Sequence, residues 1–118
     1  MESNLYHYQG IVREVYDGDT CTVDIDLGLH TWVHGEKLRL SRIDAPEMRG
    51  PERPEGTISR DFLRSMILGK EIIIQTAKDT KGKYGRYLAE IWLNQDGDNW
   101  TNINDLLVEQ GYAIYKDY

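Results

Sequence analysis

From Thr20 to Leu27 the side chains alternate, with Cys21, Val23, Ile25 and Leu27 apolar and Thr22, Asp24 and Asp26 polar. A period of two places the apolar set on one side of an extended chain and the polar set on the other. That is the pattern of a half-buried antiparallel strand, not of a helix. The flanking sequence continues in the same way. Strands are predicted over residues 6–16, 20–27 and 30–43, separated at Asp17-Gly18 and Leu27-Gly28, with Gly35 marking a bend or bulge in the third.

The Gly, Pro and charge content of residues 48–56 predicts a surface loop. A helix is expected after it, because Ile58, Phe62 and Met66, joined by Leu63 and Ile67, recur at helical spacing, and Gly69 stands where a left-handed C-terminal cap belongs. Residues 71–77 and 87–93 read as two further strands with a basic loop, 78–86, between them, and 94–99 as a turn. Thr101 or Asn102 can cap a last short helix that presents Ile103, Leu106 and Leu107 and stops at Gly111. No linker, repeat or low-complexity segment divides the chain, so residues 1–118 are expected to form a single domain. Five strands, one helix between the third and fourth and another after the fifth, predict an α+β, mainly β fold. Its expected form is a five-stranded oligonucleotide-binding (OB-fold) barrel with about two helices.

Composition narrows the function classes. The chain is 40% hydrophobic and 29% charged, as in ordinary soluble proteins, and apolar runs such as Ile72-Ile73-Ile74 are too short to cross a bilayer. No membrane partner and no obligate protein partner are expected. The opening Met1-Glu2-Ser3-Asn4 has neither a basic region nor an apolar run, which predicts a cytoplasmic location, with a secreted mature form as the alternative. Cys21 is the single cysteine and has no internal disulfide partner. The net charge of -6 argues against tight, extended nucleic-acid binding, since phosphate neutralisation dominates such affinity. It weighs less against a small metal-assisted cleft, where only the local potential matters.

Three short segments concentrate the chemistry: Asp17-Gly18-Asp19-Thr20, then Arg39 through Asp44-Ala45-Pro46-Glu47, then Lys83-Tyr84-Gly85-Arg86. Taken singly they are a hairpin turn, a strand charge with a turn start, and a basic loop. Taken together they supply two aspartates for a hard divalent cation, two arginines for phosphate oxygens and a glutamate to activate water. Lys78, Lys81 and Lys83 with Arg49 and Arg53 can furnish a local positive rim, and Tyr84, Tyr115 and Tyr118 can stack on bases. Asp96-Gly97-Asp98-Asn99 lacks the ligand spacing of an EF-hand and reads as a hairpin turn. His7, His30 and His34 lack zinc-like spacing and are assigned to packing or surface.

The order and spacing of these segments closely resemble the staphylococcal nuclease (thermonuclease) family, from about Tyr8 to the C-terminus and including Leu107-Val108-Glu109-Gln110-Gly111. The resemblance implies a calcium ion held by Asp19, Asp44 and the backbone carbonyl of Ala45. It implies catalytic roles for Arg39, Glu47 and Arg86 and gives Tyr84, inside the matched motif, a substrate contact; Lys83 on the positive rim and Tyr115 as a stacking ring are expected to add substrate contacts. The implied activity is calcium-dependent hydrolysis of DNA and RNA with low sequence specificity, leaving 3′-phosphate ends. The competing expectation is a noncatalytic module of the same fold that binds nucleic acid or protein. Three departures from the family are expected: a longer segment between Thr20 and Arg39, a differently built loop after Glu47, and a third helix missing or much reduced.

Overall fold

The computed structural model describes residues 6–81 and 85–116. Strands β1 (His7–Asp17), β2 (Thr20–Gly28) and β3 (Thr31–Leu40) form an antiparallel meander. On its other edge β1 pairs with β5 (Glu71–Lys81), and β5 pairs with β6 (Tyr87–Asp96). The ring closes where β6 meets β3 in parallel, with Leu38, Arg39 and Leu40 opposite Tyr87, Leu88 and Ala89. Among the described residues the result is a closed five-stranded barrel with two α-helices, the mainly β OB-like fold expected from the alternation.

Inward-facing Val12, Val23, Leu38, Leu40, Ile74 and Ile91 fill the barrel. Helix α1 (Arg53–Ile67) covers one end with Leu63 and Ile67, and α2 (Ile103–Glu109) adds Ile103 and Leu107. Gly69 takes a positive φ of 76° after α1, and its N–H donates to the Val12 carbonyl at 2.9 Å, tying the helix end to β1. Asn102 caps α2 by accepting from the Asp105 N–H. Gly35, at φ 73°, lies at the register shift in β3 opposite Asp24, where the sequence predicts a bulge.

Several predicted boundaries move. The third strand stops at Leu40, because the chain turns through Ser41 and Arg42, the latter at φ 67°, before a two-residue strand β4 (Ile43–Asp44). The predicted loop over 48–56 is shorter: a 3-10 turn, Gly50–Glu52, leads into α1 at Arg53, since Pro54 is acceptable in a first helical turn. The buried stripe of α1 is Gly56, Ser59, Leu63 and Ile67, whereas Ile58 is 58% exposed. The backbone of β5 runs on to Lys81, into the segment read as a basic loop. Asp96 and Asn99 close a hairpin to β7 (Asn99–Asn102), and β8 (Ile114–Tyr115) pairs with β4.

Candidate active site

Closing the barrel in parallel brings the end of β3 beside the start of β6. Arg39 on β3 therefore lies near Arg86, one residue ahead of β6, and both face the turn that joins β1 to β2. Arg39 is only 9% exposed and ties the neighbourhood together. Its Nη1 donates to the carbonyls of Leu40 at 2.7 Å and Ile43 at 3.0 Å, holding the turn between β3 and β4. Its Nη2 lies 3.2 Å from Asp19 Oδ2 and 3.3 Å from Asp44 Oδ1.

Asp19 is 6% exposed, and its Oδ2 also accepts the Ala45 N–H at 2.8 Å. Burial, reinforced by the Asp17 carboxyl beside it, pushes its pKa up to about 7 against the opposing pull of Arg39. A carboxylate in that position gains from any added cation. Its Oδ1 accepts from the Thr20 hydroxyl, which in turn accepts from Arg86 Nη1 at 3.4 Å. Asp19, Thr20, Arg39, Asp44, Ala45 and Arg86 thus form one connected group.

Asp19 Oδ2 and Asp44 Oδ1 converge on one guanidinium nitrogen, and carboxylate oxygens beside a backbone carbonyl are the donor type that fits a hard divalent cation. Among the described residues no three His, Cys, Asp or Glu side chains form a cage, so such a site needs backbone oxygen, water and substrate to complete it. Lys116, which the sequence reading does not single out, brings Nζ to 3.7 Å from Asp44 Oδ2. A pocket of about 220 Å³ opens beside Asp44, Ala45 and Pro46 and is walled by Glu52, Tyr112 and Ile114.

The other predicted residues stand apart from this group. The Glu47 side chain is 65% exposed and lies 3.7 Å from Arg49 Nε, while its backbone N–H donates to Glu52. Tyr115 donates its hydroxyl to Asp105 at 2.9 Å and lies under the Arg42 guanidinium. Lys83 and Tyr84, like Tyr118, fall outside the described residues.

The motifs do not reveal the support. Gly18 has an ordinary φ, but a Cβ there would stand 2.7 Å from Ala45 Cβ and 2.8 Å from Ser59 Cβ, so only glycine lets the Asp17–Thr20 turn seat against both. At Gly56 a Cβ would meet the Glu47 carbonyl oxygen at 2.2 Å. The Ser41–Arg42 turn is fastened from behind. Arg42 grips Glu90 through Nε at 2.9 Å and Nη2 at 2.6 Å, and Asn104, fully buried, donates to the carbonyls of Ser41 and Ala89 while accepting from Ile91 N–H. Signals for these roles do exist: a glycine inside a helix costs about 1 kcal/mol against alanine, and an asparagine within an apolar helical stripe needs partners.

With this geometry established, comparison with known proteins places the chain. The family described as staphylococcal nuclease homologue matches residues 37–118. Relatives include the thermonuclease of Staphylococcus intermedius, 32% identical over 92% of this chain and 60% of its own length. The thermonuclease of Staphylococcus hyicus is 31% identical over 91% of this chain and 59% of its own length. Endonuclease YhcR of Bacillus subtilis is 31% identical over 90% of this chain but 9% of its own length. The chain therefore spans about three fifths of the two thermonucleases and a small part of the third protein. It belongs to the staphylococcal nuclease homologue family.

Proposed function

We propose that this chain hydrolyses phosphodiester bonds of DNA and RNA with calcium as cofactor and little base specificity, leaving 3′-phosphate ends. The observation that carries the reading is the meeting of Asp19 and Asp44 on Arg39, with Arg86 linked through Thr20. Asp19, Asp44 and the Ala45 carbonyl would hold the ion. Calcium bound there supplies charge neutralisation and Lewis acidity toward a phosphate oxygen.

The protein's own groups account for the rest. Arg39 and Arg86 present planar forks suited to the equatorial oxygens of a five-coordinate phosphorus, where negative charge builds up. Glu47 takes the proton of an attacking water. As the new bond to phosphorus forms, the bond to the 5′ oxygen breaks, and that oxygen leaves protonated by solvent. An exposed ion pair such as Glu47 with Arg49 holds by at most about 1 kcal/mol, so turning Glu47 toward a bound strand costs little.

The names of the relatives, thermonuclease and endonuclease, support the same class of activity. A noncatalytic binding module is the competing reading, favoured by the protein acceptors that Arg39 already engages. Calorimetric titration with calcium, paired with digestion of DNA and RNA, separates the two. The nuclease reading expects calcium binding that Asp44→Ala weakens, and strands cut in calcium but spared in chelator. Strand binding without turnover, indifferent to calcium, would establish the module instead.

A further inference from the structure

A second feature of the surface lies outside the site described above. Arg53, Arg60 and Arg64 fall on one face of α1, at spacings of seven and four residues, and β1 brings Arg13 against the same face. With Met48 and Tyr16 they line a groove of about 480 Å³ between β1 and α1. In a chain of net charge -6, four of its 14 Lys and Arg thus converge on one groove.

The groove also has acidic neighbours. Glu14 lines it, Arg13 Nε pairs with Asp24 at 2.7 Å, and Arg60 pairs with Asp61 at 3.1 Å. Arg53 and Arg64 differ. Arg53 Nη1 donates to the Met48 carbonyl at 2.8 Å and Arg64 Nε to the Val15 carbonyl at 3.2 Å, and among the described residues neither has a carboxylate partner. A guanidinium held by backbone carbonyls keeps its full charge and further donors for an incoming anion.

Position indicates which anion. Met48, whose carbonyl holds Arg53, directly follows Glu47, so the groove starts one residue from the proposed base. Tyr16 is 70% exposed on the groove's lining and offers a ring on which a base can stack. The geometry points to a second phosphate tract for the substrate: the β1–α1 groove binds the backbone of a single-stranded nucleic acid at nucleotides beyond the bond that is cut, chiefly through Arg53 and Arg64. The assignment rests on the proposed nuclease reading for its choice of anion. It explains how an acidic chain retains a strand.

The test is binding of a labelled oligothymidylate by the whole chain, measured by fluorescence anisotropy in chelator across a salt series, so that nothing is cut. The double variant R53Q/R64Q should lower the slope of log affinity against log salt by about 1.4, the share of two phosphate contacts on a single strand. R53K/R64K should restore most of it. A slope unchanged in R53Q/R64Q, or R53K/R64K binding no better than R53Q/R64Q, overturns the tract. If these binding changes appear while the parent chain cuts nothing in calcium, the tract stands and the nuclease reading fails.

Discussion

Arg39 is a structural tie that, in the proposed mechanism, would also clamp phosphate. Its Nη1 fixes the Leu40 and Ile43 carbonyls, and its Nη2 faces two carboxylates. The spacing of Arg39, Asp44 and Asp19 in the sequence marks these residues as a set, but not their burial, which depends on strands far apart in the chain closing the barrel. Asn104 is the quieter counterpart. Replacing it with alanine leaves the Ser41 and Ala89 carbonyls and the Ile91 N–H without their partner. Chemical denaturation of Asn104→Ala should show a loss of roughly 2–4 kcal/mol, the scale for orphaned buried polar groups. Asp24 gives a pH test away from the site. The hydrogen bond from Arg13, then the Gly35 N–H and His34, hold its pKa down to about 2 against an ordinary 3.8. A lowered folded-state pKa contributes stability that is present above the unfolded value and lost as pH falls through the folded one. The stability gap between the parent and Asp24→Asn should therefore be full above pH 3.8 and shrink toward pH 2, as read from denaturant midpoints across that range.

Among the elements, α1 is the one whose docking depends on a glycine, Gly56 against the Glu47 carbonyl. Its predicted stripe began at Ile58, yet the buried face runs through Gly56 and Ser59, because the helix must sit against the Glu47 carbonyl and the Gly18 turn. Periodicity reveals that a helix exists, and its docking partner sets which face is buried. Gly56→Ala should force the helix start away from Glu47, with a cost of about 1–3 kcal/mol in melting experiments and weaker cleavage in the same preparation. Strands of two residues carry no period at all, so β4 and β8 are invisible in the sequence, although their pairing seats Asp44 opposite Ile114. Arg42 is similar: the turn it makes at φ 67° uses no glycine, and the bidentate grip on Glu90 that fastens the turn comes from β6. The hairpin at Gly97 and the caps at Gly69 and Asn102 were legible because local turn chemistry dictates them.

For the whole molecule, the parallel pairing of β3 with β6 turns a meander into a barrel and gathers three distant segments. That closure explains why the charged segments make sense only together. Global charge works against a nucleic-acid substrate, so the proposed activity depends on local positive potential and on a cation between Asp19 and Asp44. The most direct test measures calcium-dependent cutting of a labelled strand by the parent chain and by Glu47→Gln at equal calcium and strand occupancy. Under the proposed mechanism the parent cuts in calcium and not in chelator, leaves 3′-phosphate ends, and loses about 10²–10⁴-fold in kcat in Glu47→Gln, the usual share of a general base. Cutting that persists in chelator, or a Glu47→Gln variant as fast as the parent, would contradict it.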